Sequence, residues 1–106
     1  MGNLKSGFVH TVYFWLKNPE NDTDKIQLLE GLKKLSSISE IKEAYIGKPA
    51  DTRREVIDST YSLSITFIFD NAEDQDVYQS HIEHLKFIDD CSHLWQKVQV
   101  YDAFGY

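Results

Sequence analysis

The sequence is poor in the residues that staple, break or anchor a chain. A single cysteine, Cys91, stands among 106 residues. That excludes an internal disulfide and supplies no thiolate metal cluster. Set among apolar helical positions, Cys91 reads as a buried, unreactive thiol. Two prolines and five scattered glycines leave neither a proline-rich linker nor a glycine-rich phosphate loop, so no organic cofactor is expected. Long apolar runs are missing too. The longest near-continuous stretch, Val12 to Leu16, falls far short of the roughly 20 residues that span a bilayer. Residues 1–7 have no apolar core behind a charged start, so no secretory signal is expected, and this segment is expected to be flexible. Positive charge is also scarce. Seventeen acidic against 11 basic residues give a net charge of -6, and the bases form no stripe. Such a chain repels nucleic-acid phosphates and anionic lipid heads, so neither nucleic acid nor membrane is an expected partner. Together these absences point to a cytoplasmic protein. With no repeat and no linker, residues 8–106 read as one domain.

Aromatic residues are plentiful: six Phe, six Tyr and two Trp. Many sit in Phe8 to Lys17, where aromatic and β-branched residues predict a strand. Both of its faces carry large apolar groups, Phe8/His10/Val12/Phe14/Leu16 on one and Val9/Thr11/Tyr13/Trp15 on the other. A strand with one wet face would alternate cleanly, so this one is expected to be covered on both sides. Asp22 or Thr23 is expected to cap a helix carrying Leu28, Leu29, Leu32 and Leu35. Gly31 weakens that helix by about 1 kcal/mol relative to Ala and is expected to permit close packing. A strand over 41–48, a polar loop over 50–59 and a strand over 60–69 follow. Asp70 or Asn71 caps a second helical region with Ala72, Val77 and Tyr78 inward. After a break around residues 80–83, Leu85, Ile88, Cys91 and Trp95 continue at helical spacing. Val98, Val100 and Tyr101 close the chain as a strand.

The order β-α-β-β-α-β, with right-handed crossovers, brings the first and third strands to the sheet centre and both helices to one face. This is an α+β, ferredoxin-like protomer. Val9, Tyr13 and Trp15 then project from the other face as an apolar surface that soluble monomers rarely expose. Pairing of two sheets into a dimeric α/β barrel would cover it.

Four histidines raise the question of a metal. His81 and His84 are three apart, but no cysteine pair accompanies them and their spacing is one short of a His-Glu-x-x-His pattern, so no metal is expected. Acid–base chemistry fits better. His10 shares strand parity with Val12 and Phe14 and should face the helices. Tyr78, His81 and His84 are spaced to approach it there. A tyrosine hydroxyl and imidazoles could hold a carbonyl and remove an adjacent proton, since imidazole titrates near neutral pH. Equally, Tyr78 could be a core aromatic and His84 a helix cap.

Three stretches carry a resemblance: the Phe8-Val9-His10-Thr11-Val12-Tyr13-Phe14 strand, Tyr45-Ile46-Gly47-Lys48, and the late Tyr78-Gln79-Ser80-His81-Ile82-Glu83-His84 block. Together they resemble the stress-responsive A/B barrel (Dabb) family over Phe8 to about Phe104. The resemblance implies a homodimer of ferredoxin-like protomers. A plant polyketide cyclase of that family carries an aldol cyclisation on a tyrosine and a histidine at positions matching Tyr78 and His84, and His10 matches the family's strand histidine. It therefore implies a small apolar or carbonyl-containing ligand and a cofactor-free lyase or cyclase. In that scheme His84 is the base, Tyr78 the donor and His10 a supporting group. The alternative is a non-catalytic, stress-related ligand-binding dimer. Ile82 departs from the proline often found there, which bears on the helix break and the aim of His84.

Overall fold

The computed structural model describes residues 2–106; Met1, the first residue of the segment expected to be flexible, lies outside them. The order of elements is β1 (Phe8–Leu16), α1 (Asp22–Leu35), β2 (Glu43–Gly47), β3 (Leu63–Phe69), α2 (Ala72–Ser80), α3 (Ile82–Cys91), one 3-10 turn (Ser92–Leu94) and β4 (Trp95–Phe104). The strands form one antiparallel sheet in the order β2-β3-β1-β4. β1 and β3 are central, as the crossover rule requires. The fold is a ferredoxin-like α+β sandwich of two layers.

Strand parity makes the core. Phe8, His10, Val12, Phe14 and Leu16 are buried on β1, and Leu63, Ile65, Phe67 and Phe69 on β3. They meet Leu28, Leu32 and Leu35 of α1, Tyr78 of α2 and Phe87 and Cys91 of α3. Gly31 does permit a close approach. A Cβ there would lie 2.7 Å from Cys91 Sγ and 3.3 Å from Phe87 Cδ1.

Several boundaries differ from the sequence reading. Asn21, not Asp22 or Thr23, caps α1, its side chain accepting from the Asp24 N–H at 3.0 Å. Asn71 caps α2 in the same way. β3 begins at Leu63 rather than residue 60, although Ser62 already bonds β1: its N–H donates to Phe14 O, and its hydroxyl accepts from Leu16 N–H. β2 covers 43–47 rather than 41–48, the length over which β3 can pair with it. Val77 is 47% exposed; the inward positions of α2 are Gln75 and Tyr78. Leu85 and Ile88 are also exposed, and Phe87 takes the core position on α3. Trp95 starts β4 instead of ending a helix.

The break between α2 and α3 falls at His81, which has extended backbone and whose Nδ1 accepts from the Glu83 N–H at 3.0 Å. His81, not His84, is therefore the helix cap. The other sheet face is partly open. Val9, Thr11, Tyr13 and Trp15 are half-buried there, while Tyr45 and Tyr101 stand exposed. Tyr61 from the loop before β3 packs on Tyr13 and Trp15 at one end. No helix among the described residues is long and apolar enough to cross a membrane.

Candidate functional site

Three separate elements bring His10, Tyr78 and His84 together. β1 parity turns His10 toward the helices, where it is buried. The helical phase of α2 drives Tyr78 onto the sheet, 1% exposed. The extended residue His81 redirects the chain, so that His84 in the first turn of α3 returns over Tyr78. Ring centroids lie 5.6 Å apart for His10–Tyr78 and 4.9 Å for Tyr78–His84, both edge-on. The same three residues line one cavity of about 220 Å³ between the sheet, α3 and β4. Its remaining walls are almost wholly apolar, among them Val12, Phe14, Phe87, Trp95 and Val100. The cavity opens where α3 leaves β4 uncovered, and Val98 and Val100 are each about two-fifths exposed there. His81 is not among the lining residues.

A fourth polar residue, unnoticed in the sequence, completes the site. Asp102 opposes His10 in the β1–β4 register, and its Oδ1 lies 2.6 Å from His10 Nδ1. Toward an ionised carboxylate Nδ1 is the donor, which turns Nε2 away from Asp102. Strand parity could have found it: Asp102 lies two residues beyond Val100 on the same face.

The electrostatics separate the groups. Burial pushes the Tyr78 hydroxyl well above the ordinary phenol range, so it stays protonated and available as a donor. Burial lowers His84 below the usual imidazole value, the neighbouring His10 lowers it further, and the Gln79 main chain pulls partly the other way. Its Nδ1 is buried without a hydrogen-bond partner. A neutral imidazole with an unmatched nitrogen beside a protonated phenol is equipped to accept a proton while the phenol holds an oxygen.

Two other hollows lack these groups. A charged groove of about 410 Å³ runs between α1 and α3 over Gly31, and one of about 270 Å³ lies on the open sheet face around Trp15 and Tyr61. Among the described residues, no three His, Cys, Asp or Glu side chains cluster so as to hold a metal ion.

Comparison with known proteins matches this architecture. The family model described as the stress responsive A/B barrel domain (Dabb) matches residues 8–104. A Dabb-family protein of ferredoxin-like fold from Mesorhizobium loti is similar at 21% identity and a TM-score of 0.78, over 96% of this chain and 99% of that one. A dimeric ferredoxin-like protein of unknown function from Thermobifida fusca is similar at 18% identity and 0.75, over 98% of both chains. The hydroxynitrile lyase of Passiflora edulis is similar at 19% identity and 0.75, over 93% of both. At these identities the likeness is one of fold. No curated protein matched the sequence.

Proposed function

The chain belongs to the stress responsive A/B barrel (Dabb) domain family, and from that premise we propose that it is a homodimeric, cofactor-free lyase or cyclase acting on a small carbonyl compound. The observation that carries this reading is the convergence of His10, Tyr78 and His84 on one apolar cavity, with Asp102 behind His10. The cavity is smaller than the roughly 300–1,000 Å³ typical of drug-sized ligands, which favours a small molecule. In the forward step His84 takes a proton from the carbon next to the carbonyl. The released electron pair moves onto the carbonyl oxygen, where the Tyr78 hydroxyl holds the developing charge by a hydrogen bond. The enolate carbon then bonds to a second carbonyl carbon, and the proton on His84 passes to the resulting alkoxide. Cleavage is the reverse. His10, its tautomer fixed by Asp102, accepts a hydrogen bond from a substrate hydroxyl through Nε2. Kinship in fold with a hydroxynitrile lyase supports lyase chemistry only as a class.

Turnover of ketones and thioesters by the purified protein tests this. General acid–base catalysis contributes about 10²- to 10⁴-fold, so His84→Ala and Tyr78→Phe should each lower kcat by at least about 100-fold. Unchanged turnover in both variants would remove the catalytic assignment. A second reading, a dimer that only holds its ligand, is favoured by the packing of Tyr78 among His10, Phe67, Phe69 and His84. On that reading the variants alter affinity and no turnover exists to lose.

A further inference from the structure

No residue type between Ala72 and Cys91 ends a helix: the stretch holds neither proline nor glycine. Yet the helix divides at His81. An unbroken helix turns by about 100° per residue, so Phe87, nine residues after Tyr78, would lie on the side opposite to it. His84, six residues after Tyr78, would lie about 120° away from it. With the break, Tyr78 and Phe87 are both buried, and the rings of Tyr78 and His84 lie 4.9 Å apart.

His81 ties this junction together. Its N–H donates to Tyr78 O at 3.2 Å, and its carbonyl accepts from the N–H groups of His84 and Leu85 at 3.0 and 3.1 Å. Its ring adds a further bond, with Nδ1 accepting from the Glu83 N–H at 3.0 Å. In an unbroken helix that N–H would go to Gln79 O, four residues back. The cap diverts it and leaves the Gln79 carbonyl without that helical partner. Gln79 lines the cavity together with His84, and its main chain draws the His84 pKa upward, as a carbonyl beside an imidazole N–H does.

We infer that His81 is a positioning residue: by capping α3 through Nδ1 it aims His84 at Tyr78. This rests on the reading of that pair as the working groups of the cavity. Ile82 makes the ring necessary. Proline at that first helical position would fix the break unaided, since it needs no N–H and favours an extended residue before it. His81 is already extended, at φ -65° and ψ 141°, but isoleucine does not enforce that conformation.

The test is the nuclear Overhauser effect between the His84 and Tyr78 rings in the ligand-free protein, read at about pH 8, above the ordinary imidazole range. The parent should show it. His81→Ala should lose it while remaining folded by circular dichroism. His81→Asn, which restores a side-chain acceptor, should keep it, and Ile82→Pro should bring it back in the His81→Ala background. Should His81→Ala not fold, His81→Gly removes the acceptor at less cost to the cap position. An effect undiminished in the folded Ala or Gly variant overturns the inference, as does its loss in His81→Asn or its failure to return with Ile82→Pro. If the parent turns over no ketone while the ring contact still follows the cap, the catalytic reading fails and the positioning of His84 stands.

Discussion

A histidine held neutral in a folded protein leaves a mark on stability that needs no substrate to observe. The pKa of His84 is lowered, chiefly by burial, so below the ordinary imidazole value of about 6.5 the unfolded chain binds a proton that the folded chain refuses. Stability therefore falls as pH drops through about 6.5, until His84 itself protonates. His84→Leu should flatten this slope between pH 7.5 and 5.5, where carboxylates contribute little, as read from urea midpoints. Equal slopes in parent and variant would mean that His84 is not held neutral. The same direction extends the base form, so the acid limb of any kcat/KM profile should lie below pH 6.5. His10, Tyr78 and His84 were legible as a group because strand parity and helical spacing act locally. Asp102 was legible only in part: parity places it on the face of Val100, but its meeting with His10 depends on the β1–β4 register, which no local pattern encodes. Val77 and Gln75 were exchanged for a related reason. Hydropathy favours the valine, but the phase that buries Tyr78 also buries the residue three positions earlier.

Packing between elements rests on a glycine that helix propensity disfavours. Replacing Gly31 by Ala would gain about 1 kcal/mol in propensity. The new Cβ would meet the buried Cys91 Sγ at 2.7 Å. Overpacking of a filled core costs about 1–3 kcal/mol, so Gly31→Ala should destabilise by up to about 2 kcal/mol. In a Cys91→Ala background the clash is relieved and the same change should become neutral or stabilising. Denaturation of the four proteins of this cycle measures it; the same destabilisation in both backgrounds would refute the contact. Element types were readable because period 2 and period 3.6 are distinct in β1, α1 and β3. Element ends were less so. β2 stops where pairing with β3 ends, and the chain turns at Ser92–Leu94, so Trp95 enters a strand although its spacing from Cys91 is helical.

Across the whole molecule, the helices cover one sheet face and leave the other to be covered by something else. A row crosses that open face from edge to edge, Tyr45–Thr66–Thr11–Tyr101, each opposite the next in register. Val9 and Tyr13 flank it on β1. The two-faced composition of β1 made this surface legible from the sequence, because soluble monomers rarely expose an apolar face on a central strand. What the sequence could not convey is how the loop before β3 folds back, placing Tyr61 on Tyr13 and Trp15 and fixing Trp15 Nε1 to Thr60 Oγ1 at 2.9 Å. That contact covers one end of the face and leaves the central row free for a second sheet. A cation at the centre of the row should therefore abolish pairing without unfolding the protomer, because Thr11 lies outside the core. Sedimentation velocity at micromolar concentration should show the parent at twice the 12.3 kDa chain mass. Thr11→Lys should sediment as a single chain with unchanged helical circular dichroism. Glu30→Gln, on the helix side of the molecule, raises the net charge by the same single unit and should remain dimeric. A parent that sediments only as a single chain, or a Thr11→Lys protein that stays paired, would remove the open face as the dimer interface.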